Sequence, residues 1–87
     1  MFYTYVLQSK KNSALYFGYT NDLQNRLKEH NNGINPSTKI NRPWVVIYYE
    51  ACLIETDAKR REHFFKTTQG KRLLKRRLKD YFYAFKG

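Results

Sequence analysis

Five side chains have types that can move protons, hold phosphate or bind metal: Tyr5, Tyr16, Arg26, His30 and Glu62. Arg26 and His30 lie four residues apart, which places them one turn apart on the same side of a helix. Glu62 projects from the apolar side of a second predicted helix, where a lone carboxylate needs a cationic partner. A proton acceptor, a cationic phosphate clamp and a carboxylate metal ligand together suit phosphodiester chemistry.

Taken one at a time, these residues also have structural explanations. Arg26 can carry its charge out to solvent along an apolar stem, and His30 can cap a loop. Glu62 can form a salt bridge with an arginine, and aromatic residues in strands usually belong to the core. The chemical hypothesis therefore depends on the combination of residues.

The strands that must position the two tyrosines follow from the patterns around them. Residues 2–8 and 15–20 are rich in aromatic and β-branched types and predict a β-hairpin. Gly18 in the second of these strands permits close approach of another group. Residues 44–50 predict a third strand, whose unbroken apolar character favours a central position in the sheet.

The first two predicted helices carry the charged candidates. Thr20 or Asn21 can cap the first helix, and Gly33 provides a left-handed stop. Thr56 can cap the second helix, which runs to about Thr67 and is ended by Gln69-Gly70.

A third predicted helix follows, with one apolar side formed by Leu73, Leu74, Leu78 and Tyr81. The fold class is α/β (α+β), a small, mainly antiparallel three-stranded sheet flanked by three helices in the order β-β-α-β-α-α. We expect a single domain over residues 1–87, because no linker or repeat divides the chain.

Positive charge is concentrated in the C-terminal third of the 87-residue chain, whose formal net charge is +10. Residues 59–87 hold eleven Lys and Arg against Glu62 and Asp80. Such an excess indicates a polyanionic partner, most often nucleic acid. No apolar run reaches the roughly 18 residues of a membrane span, and the lone Cys52 has no disulfide partner in the chain. We therefore expect a soluble, cytoplasmic protein without structural metal.

The third predicted helix is dominated by the basic residues Lys71, Arg72, Lys75, Arg76, Arg77 and Lys79. A solvated helix face normally interleaves acidic residues, and none occurs in this run, so we interpret it as a surface that tracks phosphates. The aromatic residues Tyr81, Phe82, Tyr83 and Phe85 follow. They can dock on the core or stack on unpaired bases, and the small core favours docking.

Four short motifs resemble those of the GIY-YIG nuclease superfamily. They are Tyr3-Thr4-Tyr5, then Tyr16-Phe17-Gly18, Asn21-Asp22-Leu23, and the run from Arg26 to Asn31. The chain is most similar to the small single-domain branch related to the N-terminal nuclease domain of the excision-repair excinuclease subunit. Arg61-Glu62 before Phe64-Phe65-Lys66 resembles the second-helix signature of that branch.

The resemblance implies a metal-dependent endonuclease acting on DNA. Tyr5 and Tyr16 match the two motif tyrosines, and because family members differ over which of them is the general base, both stay candidates for that role. Arg26 matches the arginine that contacts the scissile phosphate, and His30 occupies a position held by His or Tyr in the family. Glu62 matches the single carboxylate that binds one divalent cation, usually Mg²⁺, with Mn²⁺ as the other choice. Since the ordinary pKa of tyrosine is about 10, we expect Arg26 or bound metal to lower it.

The sequence also departs from the family pattern. Tyr3-Thr4 replaces Gly-Ile, and residues 71–79 lack the asparagine that family nucleases often carry in the third helix. The missing asparagine argues against strong stand-alone cleavage. Without an appended DNA-recognition domain we expect a structure-selective or weakly specific nuclease, and the resemblance to the excinuclease subunit implies a role in DNA repair. The alternative is a non-catalytic nucleic-acid-binding module that keeps the fold, and the small size is also compatible with a protein partner that selects the substrate.

Overall fold

An antiparallel three-stranded sheet forms the centre of the fold, in a computed structural model that describes residues 1–84. Its strands are β1 (Phe2–Ser9), β2 (Leu15–Thr20) and β3 (Trp44–Cys52). β1 pairs with β2 as the predicted hairpin and with β3 on its other edge, so the spatial order is β2-β1-β3. The predicted fold class is confirmed.

The described residues form four helices, which are α1 (Leu23–Asn31), α2 (Glu55–Phe65), α3 (Thr68–Arg77) and α4 (Lys79–Ala84). The third predicted helical region is therefore two helices. They are separated at Leu78, whose backbone leaves helical geometry with φ of −107° and ψ of 34°. No helix within residues 1–84 combines the length and apolar character needed to cross a membrane.

The central strand is β1 and not β3, so the position predicted for the third strand was wrong. β3 is an edge strand with helices over both faces. Val46 packs in the cluster on the α1 side, whereas Ile47 and Tyr48 pack in the cluster on the opposite side. Burial on two faces produces a continuous apolar run whether or not both edges of the strand are paired.

The first turn of α1 is capped by Asp22 and not by Thr20 or Asn21. The Asp22 side chain accepts a hydrogen bond of 3.1 Å from the backbone N–H of Asn25. This is the common N-cap geometry, which satisfies a helix donor that has no backbone partner. After the helix, Gly33 adopts the predicted left-handed conformation with φ of 77°.

The boundary between α2 and α3 also differs from the prediction. α2 begins at Glu55 after the N-cap Ile54, so Thr56 lies inside the helix. Gly70 lies inside α3, where an added Cβ would be 2.0 Å from the carbonyl oxygen of Phe64. The glycine is therefore needed for close packing of α3 on the end of α2 and does not end a helix.

Two small cores lie on the two faces of the sheet. The buried hydrophobic side chains of the cluster on the α1 side are Tyr5, Leu7 and Trp44. Those on the side of α2 and α3 are Val6, Phe17, Phe65 and Leu74. Successive residues of a strand point to opposite faces, so β1 contributes to both cores.

The C-terminal aromatic residues behave differently from one another. Tyr81 docks as predicted, with its hydroxyl donating to Oε1 of Gln8, and Phe82 is half-buried against it. Tyr83 is 81% exposed, so it does not dock. Phe85 lies outside the described residues.

Candidate active site

A cleft of about 370 Å³ opens at the edge of the sheet formed by β2, and it is called the β2-edge cleft below. Tyr5, Tyr16, Arg26 and Glu62 all line it. They come from β1, β2, α1 and α2 respectively, so both helix layers and the sheet contribute. The fold thus brings together four of the five side chains selected from the sequence. His30 does not line the cleft.

Tyr5 lies in the central strand and reaches the cleft across the edge strand. It is only 1% exposed and pairs directly with Gly18 of β2. A Cβ at Gly18 would be 2.5 Å from the Tyr5 hydroxyl oxygen. The group that approaches Gly18 is therefore the phenol ring of Tyr5, and any larger residue at this position would displace it.

His30 is completely buried behind Tyr5, at 0% exposure. Its Nε2 atom is 2.9 Å from the Tyr5 hydroxyl, and its Nδ1 atom is 2.8 Å from Oγ1 of Thr38. The Thr38 hydroxyl itself donates to the carbonyl of Asn35 at 3.4 Å. We assign the His30 proton to Nδ1 on this basis, because a Thr38 hydroxyl that donates its single proton to Asn35 accepts from Nδ1–H. His30 Nε2 is then the acceptor for the Tyr5 O–H.

The ionisation of this pair is set mainly by burial. Burial lowers the pKa of His30, and the charge of nearby Arg26 lowers it further against an opposing effect of Glu29. A neutral imidazole has one N–H and one lone pair, which matches the two hydrogen bonds described above. The surroundings therefore favour a neutral His30, whose Nε2 lone pair accepts the hydrogen bond from the Tyr5 hydroxyl.

Tyr5 does not have the lowered pKa expected from the sequence. Burial, followed by the neighbouring Tyr16, raises the pKa of Tyr5 to about 12. Arg26 acts in the expected direction but is outweighed, and the charge of Glu62 adds to the increase. Without a bound cation, the phenolate form of Tyr5 is therefore disfavoured.

Arg26 projects into the cleft from the first half of α1. Its Nε forms an ion pair of 2.9 Å with Oε1 of Glu29, and its side chain is 40% exposed. A guanidinium group has five N–H donors in a fixed fork. Glu29 thus holds the orientation of Arg26 through one nitrogen, and the remaining donors suit an anionic oxygen in the cleft.

Glu62 reaches the cleft from α2, on the other side of the sheet from α1. Its side chain is 15% exposed and its Oε2 lies 3.6 Å from Nζ of Lys66. The arginine salt bridge considered for Glu62 is made instead by Glu50, which binds Arg61 with bonds of 2.9 and 3.0 Å. Glu62 is therefore a largely shielded carboxylate whose ion pair is with a half-exposed lysine.

The donor set around Glu62 fits a hard divalent cation. Mg²⁺ retains several waters and takes one or two carboxylates together with phosphate oxygens of the substrate. Glu55 is a second carboxylate in the cleft. Within residues 1–84 no group of three or more His, Cys, Asp or Glu side chains is placed to hold a metal. Any metal would therefore depend on Glu62, with Glu55 as a second carboxylate in the same cleft, and on water and substrate.

Sequence reasoning missed Glu55 and Thr38. Glu55 lies seven residues before Glu62, which is two helical turns, and this spacing could have indicated a shared face. Thr38 is 0% exposed in the long loop between α1 and β3. Nothing local marks it, because its role depends on a contact with His30 that only the folded loop creates.

The predicted nucleic-acid-binding residues are not part of the cleft. Lys71, Arg72, Lys75, Arg76 and Lys79 are all exposed. All but Lys79 lie on α3, whose apolar side packs through Leu74 in the core cluster that also contains Phe65 of α2. These five residues together are called the basic face.

Comparison with known proteins identifies a matching family and several similar bacterial proteins. Residues 1–77 match the family model described as the GIY-YIG catalytic domain. The chain is 44% identical over 66 residues to the UPF0213 protein of Bacillus pumilus (strain SAFR-032), covering 75% of this chain and 66% of that protein. It is 43% identical over 63 residues to the UPF0213 protein YazA of Bacillus subtilis (strain 168), covering 71% of this chain and 63% of that protein.

A third relative is covered more completely. The chain is 39% identical over 74 residues to the UPF0213 protein SH2523 of Staphylococcus haemolyticus (strain JCSC1435), covering 84% of this chain and 89% of that protein. No solved structure matches the chain. With nearly all of its length matched by the family model, this chain belongs to the GIY-YIG family, a family of nucleases.

Proposed function

We propose that this protein is a metal-dependent endonuclease that hydrolyses phosphodiester bonds in DNA, with structure-selective or weak sequence preference. The observation that carries the proposal is the convergence of Tyr5, Tyr16, Arg26 and Glu62 on one polar cleft from four separate elements. A structural role would explain each residue alone, but it would not require all four to face the same space.

The proposed roles follow from the geometry. The Arg26 fork, held by Glu29, binds a non-bridging oxygen of the scissile phosphate and stabilises the charge that develops there. Glu62 would hold a divalent cation, Mg²⁺ or Mn²⁺, which supplies Lewis-acid stabilisation of the phosphate when bound. Tyr16 lines the cleft beside Tyr5, where it can orient the attacking water.

Tyr5 and His30 form a proton relay in this proposal. Tyr5 accepts a proton from the attacking water while it donates its own proton to Nε2 of His30, 2.9 Å away. No free phenolate has to accumulate, so a Tyr5 pKa of about 12 is compatible with base catalysis. His30 becomes imidazolium, a form that burial and the charge of Arg26 disfavour, so it returns its proton to Tyr5. The proton taken from water then passes from Tyr5 to the oxygen that leaves when the P–O bond breaks, or to solvent.

The alternative is a non-catalytic nucleic-acid-binding module. The observation in its favour is the basic face, which is exposed and lies apart from the lining of the cleft. Binding of phosphates by the basic face would survive the loss of every catalytic group.

Cleavage and binding measured on the same variants separate these functions. We expect Glu62→Gln and Arg26→Ala each to reduce cleavage of flap, branched and plasmid DNA by about 10²–10³-fold. Asp57→Asn is a matched control on α2, because Asp57 is exposed and pairs with Arg60 away from the cleft. Anisotropy in EDTA should show near-normal DNA binding by Glu62→Gln.

Two outcomes would contradict the proposal. Cleavage by Glu62→Gln at the rate of Asp57→Asn would refute the assigned site. Binding without cleavage in Mg²⁺ or Mn²⁺ by the unmodified protein would favour the binding module.

A further inference from the structure

A second cavity, of about 640 Å³, lies directly beside the β2-edge cleft and is called the α1 groove. Its lining includes Tyr3, Asn21, Asp22, Gln24, Val46 and Tyr49. Asn21 lines both cavities. The start of α1 therefore separates two adjoining spaces, with Arg26 facing the cleft and the neighbouring Leu27 facing the groove.

Aromatic rings form one wall of the α1 groove. Tyr3 and Tyr49 lie on the α1 side of the sheet and meet edge to face with their centroids 5.9 Å apart. Tyr49 is 55% exposed, and Tyr83 is the other mostly exposed aromatic residue within residues 1–84. More than half of Tyr49 is therefore accessible to solvent while Tyr3 supports its ring, and an exposed aromatic ring beside a cavity can stack on a planar ligand.

The charges of the α1 groove select against a phosphate. No Lys or Arg is among its lining residues, and its one charged residue is Asp22. The amides of Asn21 and Gln24 supply both donors and acceptors at the rim. A neutral, planar group with hydrogen-bonding edges fits this combination, and an anionic group does not.

The geometry points to an unpaired nucleobase of the substrate strand as the occupant of the α1 groove, and this inference rests on the proposed nuclease function. The nucleotide next to the scissile phosphate would place its base on Tyr49 while its phosphate lies beside Arg26. A base in a duplex has both faces stacked and cannot enter such a groove. The substrate class is then DNA with unpaired nucleotides at the cleavage site, such as a junction between single and double strands.

Binding in EDTA tests this inference independently of cleavage. The probe is a short single strand carrying one 2-aminopurine, whose fluorescence is quenched by stacking, and the comparison is a duplex of the same sequence. We expect Tyr49→Ala to weaken single-strand binding by about 5- to 150-fold and to abolish quenching. Duplex binding should stay unchanged, because it depends on phosphate contacts.

Two further variants complete the experiment. Tyr49→Phe keeps the ring and should retain both affinity and quenching. Tyr83→Ala removes the other exposed tyrosine and should leave both unchanged. An equal loss on single strand and duplex, an equal loss in Tyr83→Ala, or undiminished quenching in Tyr49→Ala would overturn the inference.

Sedimentation at increasing protein concentration tests other occupants. A self-association that Tyr49→Ala abolishes would show that the groove binds a second copy and would overturn the inference. Strand-selective binding through Tyr49 in a protein that cleaves nothing would uphold the groove and refute the nuclease, so the two failures are distinguishable.

Discussion

Tyr5, His30 and Thr38 form a buried chain of hydrogen bonds that runs away from the β2-edge cleft. The direction in which these hydrogen bonds donate is set at Thr38, which donates to the Asn35 carbonyl and so accepts from His30. Trp44 Nε1 also donates to the Thr38 carbonyl at 2.8 Å, which anchors this part of the loop. A residue far from the cleft thereby fixes which imidazole nitrogen faces Tyr5.

Substitution of Thr38 tests this tautomer directly. We expect Thr38→Val to leave His30 Nδ1–H without its acceptor, to lower the free energy of unfolding by about 1–3 kcal/mol, and to slow cleavage. Nitrogen chemical shifts of His30 should move from the Nδ1–H tautomer toward a mixture. Thr38→Ser keeps the hydroxyl and should preserve the shifts; an unchanged tautomer in Thr38→Val would contradict this assignment.

Because His30 is buried in its neutral form, we also expect the free energy of unfolding to depend on pH. Its pKa in the folded protein is below the ordinary value, which is about 6.5 in the unfolded chain. Between these two values the unfolded state binds more protons, so stability rises with pH in this window. The contribution of His30 to the free energy of unfolding is complete above about pH 6.5. It is lost as the pH falls toward the pKa of His30 in the folded protein.

Thermal unfolding between about pH 5 and pH 7 checks this expectation. The melting temperature should fall as the solution is acidified, and the slope should flatten in His30→Gln. His63→Gln is the control, because His63 is exposed on α2. Burial raises the pKa of Glu50, but hydrogen bonds from Arg61 and Tyr48 lower it overall. Glu50 therefore affects the free energy of unfolding at a more acidic pH than His30 does. A slope unchanged in His30→Gln would refute the role given to His30.

Among the helices and strands, local sequence pattern predicted correctly whether a segment is a helix or a strand. It was less successful in predicting which other elements the segment packs against. The hairpin, the third strand and the region of α2 were predicted correctly, because period and residue type are local properties. The central position predicted for β3 was wrong, since an apolar run reports burial and not strand order. The stop predicted at Gly70 was also wrong, because the glycine serves contact between helices.

The charge of the basic face predicts that the affinity for DNA falls as the salt concentration rises. If about five of its cations neutralise phosphates, log K for DNA should fall with log[salt] at a slope of about −4 to −5. Replacing Lys75 and Arg76 by Gln should reduce that slope by about 2 without altering the fold, because both are exposed. Titration of a short duplex in EDTA gives the slopes. A slope near zero in the unmodified protein would mean that phosphates are bound elsewhere.

At the scale of the whole molecule, the β2-edge cleft lies where both helix layers meet the edge of the sheet. Its lining residues from α1 and α2 reach it from opposite sides of β2. A ligand in this cleft therefore contacts both halves of a small two-core protein. Binding to such a site should stabilise the fold as a unit.

The change in melting temperature on metal binding measures this stabilisation. A cation that binds only the folded state at about 100 times its Kd adds about 2.7 kcal/mol of stability. We expect Mg²⁺ or Mn²⁺ to raise the melting temperature and EDTA to reverse the increase. The increase should disappear in Glu62→Gln and persist in Asp57→Asn. NaCl at matched ionic strength controls for screening of the +10 charge, and an equal increase in NaCl would show that no specific site is involved.

The types of the elements, the family motifs and the candidate site residues all follow from the amino-acid sequence. Periodicity was sufficient for this, because it records which side of a helix or strand is apolar. Tertiary structure alone decided that Tyr5, Tyr16, Arg26 and Glu62 share one cleft, that His30 lies behind it against Thr38, and that Tyr49 flanks a second cavity. These relations depend on strand order and on how a loop folds across a helix, which are long-range consequences of packing that no local pattern encodes.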